Sequence, residues 1–161
     1  MSTELVASHH SLHTSAAGIV EETGFVTFRC EGQFFGVPVH MVQDVINRQR
    51  MTPIPLAPPE ITGAVNLRGR IVTVINLRER LKLLPNPDLM ASMNIVVEHH
   101  GELFSLWVDS VGDVLSLASK DIEKAPPNLA VHWQQFVRGV YQLKDELLLI
   151  LDVASILKIN G

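Results

Sequence analysis

The sequence predicts an all-β protein with a few short helices, built as two small five-stranded β-barrels that share a hydrophobic core. Three observations predict it. From Phe25 onward, short runs of β-branched and aromatic residues alternate with turn residues. Helical text is confined to Asn76–Leu83, Asp152–Leu157 and a turn around Met41–Asp44. The same strand and hairpin pattern is then written twice along the chain, the signature of an internal duplication.

Taken in order, residues 1–22 are rich in Ser, Thr, Ala and His without a lasting period, so they read as a flexible tail, with ordered structure expected from near Phe25. Val26, Phe28 and Cys30 alternate with Thr27 and Arg29, the period of a half-buried strand. Glu31-Gly32 turns the chain into Phe34–Val39. Pro53, Pro55, Pro58 and Pro59 mark an extended connector, because proline neither donates to a ladder nor continues a helix. A hairpin into Ile71–Ile75 follows, with Arg68-Gly69 at its tip. Pro85–Pro87 and Pro126–Pro127 mark two further breaks, on either side of strands at Asn94–Glu98 and Leu103–Val108. A second hairpin joins Gly139–Leu143 to Glu146–Leu151 through Lys144-Asp145, where Asp145 stands in the place of Gly69 to take φ > 0. Leu147–Leu151 is an unbroken aliphatic run and is expected to be a central strand buried on both faces.

The duplication is in register. Gly32, Phe35, Val39, Val42, Asp44 and Val45 recur at a constant offset of 69 as Gly101, Phe104, Val108, Val111, Asp113 and Val114. The hairpin from Gly63 to Leu77 lies over the one from Gly139 to Val153 at a constant offset of 76. Each half reads as strand, turn, strand, a Val-x-x-Val turn, a proline-rich loop, a hairpin and a short helical tail. The expected domain is 23–161, with a first lobe at about 23–90, a second at about 91–161, and room for strand exchange between them. Closing each five-strand unit into a barrel removes most exposed edges.

Composition excludes several functions. Hydrophobic residues are 47% and charged residues 19%, so the chain is globular rather than disordered. A net charge of −4 argues against general nucleic-acid binding. The single cysteine, Cys30, forms no internal disulfide, which suits a reducing compartment. No signal peptide is read at Met1–His10, and the longest aliphatic run falls far short of the ~20 residues that span a bilayer, so a cytoplasmic protein is expected.

No catalytic, metal or cofactor site is expected. There is no phosphate-binding glycine motif. Cys30 falls on the apolar face of a strand with nothing to lower its pKa. Asp109 and Asp113 are read as a strand end and a cap or turn, not as paired catalytic carboxylates. His9 and His13 have metal-binding spacing, with His10 between, but sit in the tail without a completing ligand, and His99-His100 reads as an exposed loop. One charge asymmetry stands out. Arg48, Arg50, Arg68, Arg70, Arg78, Arg80 and Lys82 face only Glu60 and Glu79 over the same stretch. A solvated face or a docking face for an acidic protein accounts for it. An oligonucleotide-binding barrel would interleave aromatics as stacking platforms, and none lies between Phe35 and Phe104.

Three segments resemble the CheW-like domain of bacterial chemotaxis. They are Phe35–Val39 followed by Val42–Ile46, then Ile61–Gly69 with its Gly-x-x-Asn-Leu-Arg-Gly hairpin, then Val108–Leu115 with its Val-Asp-x-Val-x-Asp-Val turn. The resemblance covers about residues 23–159 and implies two SH3-like barrels. It also implies a non-enzymatic adaptor that couples methyl-accepting chemoreceptors to the regulatory domain of the histidine kinase CheA. Such an adaptor is recruited from the cytoplasm to membrane-bound receptor arrays. It takes no small-molecule substrate, no nucleic acid and no direct membrane insertion. The motif positions that would carry coupling are Val42, Asp44, Gly63, Asn66, Arg68, Val111 and Asp113, with Arg68 the most specific. The chain departs from the family pattern at Asp44, where Glu is usual, at Asn76, where Asp is common, and at Ser105 and Trp107, in a stretch that commonly has glycine. The alternatives are an adaptor of surface or pilus motility, an oligonucleotide-binding barrel and a small hydrolase. CheA and CheV carry further domains that this text lacks, so a stand-alone adaptor is expected.

Overall fold

The computed structural model describes residues 11–15, 18–85 and 92–159. These form β1 (Ser11–Ser15), β2 (Gly18–Cys30), β3 (Gln33–Pro38), β4 (Val42–Asn47), β5 (Ile61–Leu67), β6 (Arg70–Asn76), β7 (Met93–His99), β8 (Glu102–Val108), β9 (Ser110–Ala118), β10 (Val137–Gln142) and β11 (Leu147–Leu151). Three short helices interrupt them: α1 (Leu77–Arg80), α2 (Val131–Gln134) and α3 (Val153–Leu157). The fold is all-β. Two sheets hold the strands, one in the order β1-β2-β3-β11-β10 with β9 also on β2, the other in the order β4-β7-β8-β6-β5.

The sheets cut across the two halves of the sequence. The strand pair β2–β3 joins β9, β10 and β11, while its repeat β7–β8 joins β4, β5 and β6. Strand exchange between the halves at about 23–90 and 91–161 is thus complete, and neither sheet is drawn from one half. Parallel pairings make two of the joins, Phe35 with Leu149 and Gly36 with Ile150 in one sheet, Thr73 with Phe104 through Asn76 with Trp107 in the other, and the antiparallel ladders β2–β9 and β4–β7 make the other two.

Burial explains the exchange. β11 sits between β3 and β10 with Leu148 through Leu151 buried and only Leu147 exposed, so the aliphatic run is a central strand as expected. Leu149 and Leu151 enter a large cluster with Val26, Phe28, Phe35, Ile75, Ile95 and Leu106, drawn from both sheets. Leu148 and Ile150 face a smaller cluster with Phe25 and Leu117, and Val65, Val72 and Val74 form its counterpart in the other sheet. A strand apolar on both faces needs a ladder partner on each edge, and the other half of the chain supplies one.

Three tips are two-residue hairpin turns with both central residues left-handed: Glu31-Gly32 (φ +50° and +76°), Arg68-Gly69 (+53° and +85°) and His100-Gly101 (+51° and +80°). Lys144-Asp145 departs from this. Asp145 is not left-handed, and Leu143 N–H donates to the Glu146 carbonyl at 2.8 Å across a longer turn. The helical tails repeat faithfully. The Asn76 side chain caps α1 by accepting from Glu79 N–H, and that of Asp152 caps α3 by accepting from Ser155 N–H.

Three expectations need correction. Ordered pairing starts at Ser11, not near Phe25, because β1 pairs with β2 from Ser11 opposite Glu22 to Ser15 opposite Gly18, and β2 pairs with β9 from Glu22 onward. Backbone ladders of this kind need no apolar period. The rest of the expected tail, residues 1–10, 16 and 17, lies outside the described residues. The two Val-x-x-Val segments are not turns but open β4 and β9, and Asp113 therefore lies inside a strand. A register shift in each pairing, between Val42 and Asp44 in β4 and between Val111 and Val114 in β9, breaks their alternation.

Leu149→Ala, at the shared core, is expected to cost about 2–5 kcal/mol in chemical denaturation. A loss under ~0.5 kcal/mol, typical of surface substitutions, would show that β11 is not a core strand.

Candidate functional site

The hairpin β5–β6 carries the most specific motif, and its tip is a built structure. The Asn66 side-chain oxygen accepts from Gly69 N–H at 2.9 Å and locks the turn. Arg68 then projects from a left-handed backbone with 81% of its side chain exposed. One of its terminal nitrogens donates to Asp44 Oδ2 at 3.3 Å, and Asp44 Oδ1 accepts Val45 N–H at 2.9 Å. The contact holds the guanidinium over β4 and leaves the rest of its donor fork to solvent. Asp44 and Arg68, with Gln43, Leu67, Arg70 and Leu103, line a shallow recess of about 150 Å³.

Gly63 serves the fold. A Cβ there would sit 2.6 Å from the Thr52 carbonyl oxygen. That closeness is used, because Thr52 and Ala64 exchange two backbone hydrogen bonds of 2.8 Å. Gly139 is its counterpart. Its Cβ would meet the Glu123 carbonyl oxygen at 2.9 Å, and Glu123 and Val140 exchange bonds of 2.8 and 2.9 Å. Both glycines fall at a register shift in their hairpins. Each lets a connector close against its own hairpin.

Val42 and Val111 are half-buried and pack against the shared core, together with Met41, Val45 and Val114. They belong to the seam between the sheets. Asp113 stands apart from Asp44 on the other sheet, where its exposed side chain leaves its carbonyl to accept the buried Thr27 hydroxyl at 2.5 Å. Of the seven expected positions, the structure brings Asp44, Asn66 and Arg68 into one feature. It sets Val42 and Val111 on the seam and leaves Gly63 and Asp113 to backbone roles.

The basic surplus between Arg48 and Lys82 is not one face. Arg78 grips Asp109 through two hydrogen bonds, one of 2.8 Å from Nε, and donates to the Leu84 carbonyl at 2.6 Å. Asp109 also accepts Glu31 N–H at 2.8 Å, so this pair ties α1 to the β2–β3 turn of the other sheet. Hydrogen bonding to Asp109 holds the Arg78 pKa above its ordinary value. Arg80 donates to the carbonyls of Ser155, Ile156 and Lys158 at 2.8–3.0 Å, capping α3, and stacks over Phe136. Burial lowers its pKa, partly offset by Glu60 at 3.8 Å. The sequence shows these arginines but not their partners, which lie 31 and about 76 residues away. Cys30 is buried, and burial pushes its thiol up to about 12. Among the described residues no His, Cys, Asp or Glu cluster has metal-binding geometry.

With this geometry in view, comparison with known proteins gives a consistent result. The family model described as the CheW-like domain matches residues 24–160. Chemotaxis protein CheW of Bacillus subtilis (strain 168) is 28% identical over 133 residues, covering 82% of this chain and 85% of the relative. Chemotaxis protein CheW of Rhizobium meliloti (strain 1021) is 26% identical over 131 residues, covering 81% and 84%. The crystal structure of the scaffolding protein TtCheW from Thermoanaerobacter tengcongensis superposes with a TM-score of 0.78 at 29% identity, covering 86% of this chain and 94% of that one.

Two outcomes follow from the site geometry. Gly63→Ala is expected to destabilise by about 1–3 kcal/mol, since backbone rather than a yielding side chain occupies the space. An unchanged denaturation midpoint would show that the Thr52 bridge is dispensable. The Cys30 thiol, protonated well above neutral pH, is expected to resist a thiol reagent at pH 8 in the folded protein and react on unfolding. Rapid native labelling would contradict its burial.

Proposed function

This chain belongs to the CheW-like family, and we propose that it couples methyl-accepting chemoreceptors to the regulatory domain of the histidine kinase CheA through two separate surfaces. The protein is a chemotaxis adaptor and not an enzyme, so its work is to hold partners in a fixed relation. No helix among the described residues is long and apolar enough to cross a membrane. Recruitment from the cytoplasm to receptor arrays would come through its partners.

The observation that carries this reading is Arg68. Asn66 and Gly69 supply the turn, so the fold has no need of a guanidinium between them. An arginine on a locked tip meets a carboxylate or a row of carbonyls with parallel hydrogen bonds. Its counterpart Lys144 keeps the charge without the fork, which makes the two hairpins unequal as docking elements. The second surface is the seam, where Val42, Val45, Val111 and Val114 are only half-buried on the shared core. An apolar seam between two sheets suits an amphipathic helix, the form expected of a receptor tip. Asp44 joins the two surfaces, since it lies two residues from Val42 and holds Arg68.

Arg68→Ala is expected to keep the melting temperature within a few degrees of the parent, because exposed substitutions usually change stability by less than ~0.5 kcal/mol. It should weaken kinase activation in membranes reconstituted with receptor, kinase and adaptor. Normal activation by the variant would remove the coupling role, and a collapsed melting temperature would make Arg68 a fold residue.

A further inference from the structure

The connector between β4 and β5 ends in an apolar projection. The Thr52–Ala64 bridge fixes its root, and its far end is held by Ile61 N–H donating to the Pro58 carbonyl at 3.0 Å and Asn76 N–H donating to the Glu60 carbonyl at 2.8 Å. Pro53, Pro55, Pro58 and Pro59 restrict φ in between. Within it, Ala57 N–H donates to the Ile54 carbonyl at 3.3 Å, closing a turn with Pro55 and Leu56 at its centre. Leu56 takes φ +61°, in the turn position that glycine or asparagine usually fills. Its side chain is fully exposed, and Ile54 beside it is 38% exposed.

A leucine at this place does nothing for the fold. Its backbone is strained there, and its side chain packs on no neighbour. The segment it stands in is basic in sequence. Arg48 and Arg50 are the only charged residues from Val45 through Pro59, in a chain of net charge −4. The next acid, Glu60, is turned toward Arg80 at 3.8 Å. Beyond it the same hairpin carries Ile71, 69% exposed, and then Arg68. An apolar knob on a segment whose only charges are arginines complements an apolar pocket set in an acidic surface.

We propose that Leu56 is an apolar anchor of this adaptor, entering a pocket in an acidic surface of the CheA regulatory domain. The inference rests on the kinase-coupling reading above and extends the docking surface from the Arg68 tip to the root of the same hairpin. The prolines pre-set the loop, so little conformational freedom is lost when the anchor is buried. Gly63 acquires a positioning role, because its missing Cβ lets Thr52 close on Ala64 and so aims the connector.

The test compares the full chain with Leu56→Gly, Arg50→Glu and Arg68→Ala, each titrated calorimetrically with purified CheA and melted in parallel. Glycine accepts the left-handed turn, so Leu56→Gly should melt at or above the parent and still bind about tenfold more weakly, as loss of a buried anchor does. Arg50→Glu should melt like the parent and bind severalfold more weakly. Parental affinity in Leu56→Gly overturns the anchor. Parental affinity in Arg50→Glu overturns the acidic character of its pocket. If Arg68→Ala weakens binding while Leu56→Gly does not, the anchor alone falls and the coupling function stands. Failure of the parent chain to bind CheA overturns both.

Discussion

Two parallel strand pairings, beside the antiparallel ladders β2–β9 and β4–β7, join the two halves of this molecule. β3 meets β11 at Phe35 and Leu149, and β6 meets β8 from Thr73 to Asn76. Each pairing joins residues from different halves of the chain, and each completes a sheet that its own half cannot complete. The consequence is cooperative. The shared cluster takes Phe28 and Phe35 from one half and Leu149 and Leu151 from the other, so removing either half strips a face from the core. The loop-closure cost of such non-local pairing is met only when both sheets form. The two sheets are therefore fixed in their mutual orientation by construction, which is what the proposed coupling through two docking surfaces requires.

The remaining rigidity comes from arginines that the duplication did not copy. α1 carries Arg78 and Arg80, whereas α3 carries Ala154 and Ile156 at the corresponding positions. Arg78 reaches Asp109 and Arg80 reaches the end of α3, so both span from one sheet to the ends of elements in the other. Both are largely shielded, at 12% and 14% side-chain exposure, while Arg68 is 81% exposed. That contrast separates arginines that build the scaffold from one the scaffold presents.

The strands and the two-barrel plan were legible because apolar alternation and left-handed turn residues are local signals. Val26, Phe28 and Cys30 alternate into the shared core, and Glu31-Gly32 and Arg68-Gly69 turn as their composition demands. What was not legible depends on partners distant in sequence. The openings of β4 and β9 looked like turns because only their neighbours, β7 and β2, make them strands. The basic stretch looked like a surface because Asp109 and the α3 carbonyls are invisible from Arg78 and Arg80. Of the candidate site, the Asn66–Gly69 lock was written locally, while the Arg68–Asp44 contact, 24 residues apart, needed the sheet.

Duplication followed by divergence explains how one fold offers two unlike surfaces. In the first sheet Arg29 makes a bidentate pair with Glu146 at 2.8 and 3.0 Å and also reaches the Gly32 carbonyl at 3.2 Å. At the corresponding positions of the second sheet the charges are exchanged, with Glu98 for Arg29 and Arg70 for Glu146. Arg70 still reaches the carbonyl of the matching turn glycine, Gly101, at 3.3 Å. The backbone device is conserved between the barrels while the sign of the charge on each strand is inverted. The same holds at the hairpin tips, where a locked Arg68 answers a Lys144 on a longer turn without a left-handed residue. A partner that reads charge and fork geometry on one barrel meets the opposite arrangement on the other. On the proposed coupling, specificity would come from sequence divergence on a repeated frame, at no cost to the shared core because the divergent residues lie outside it.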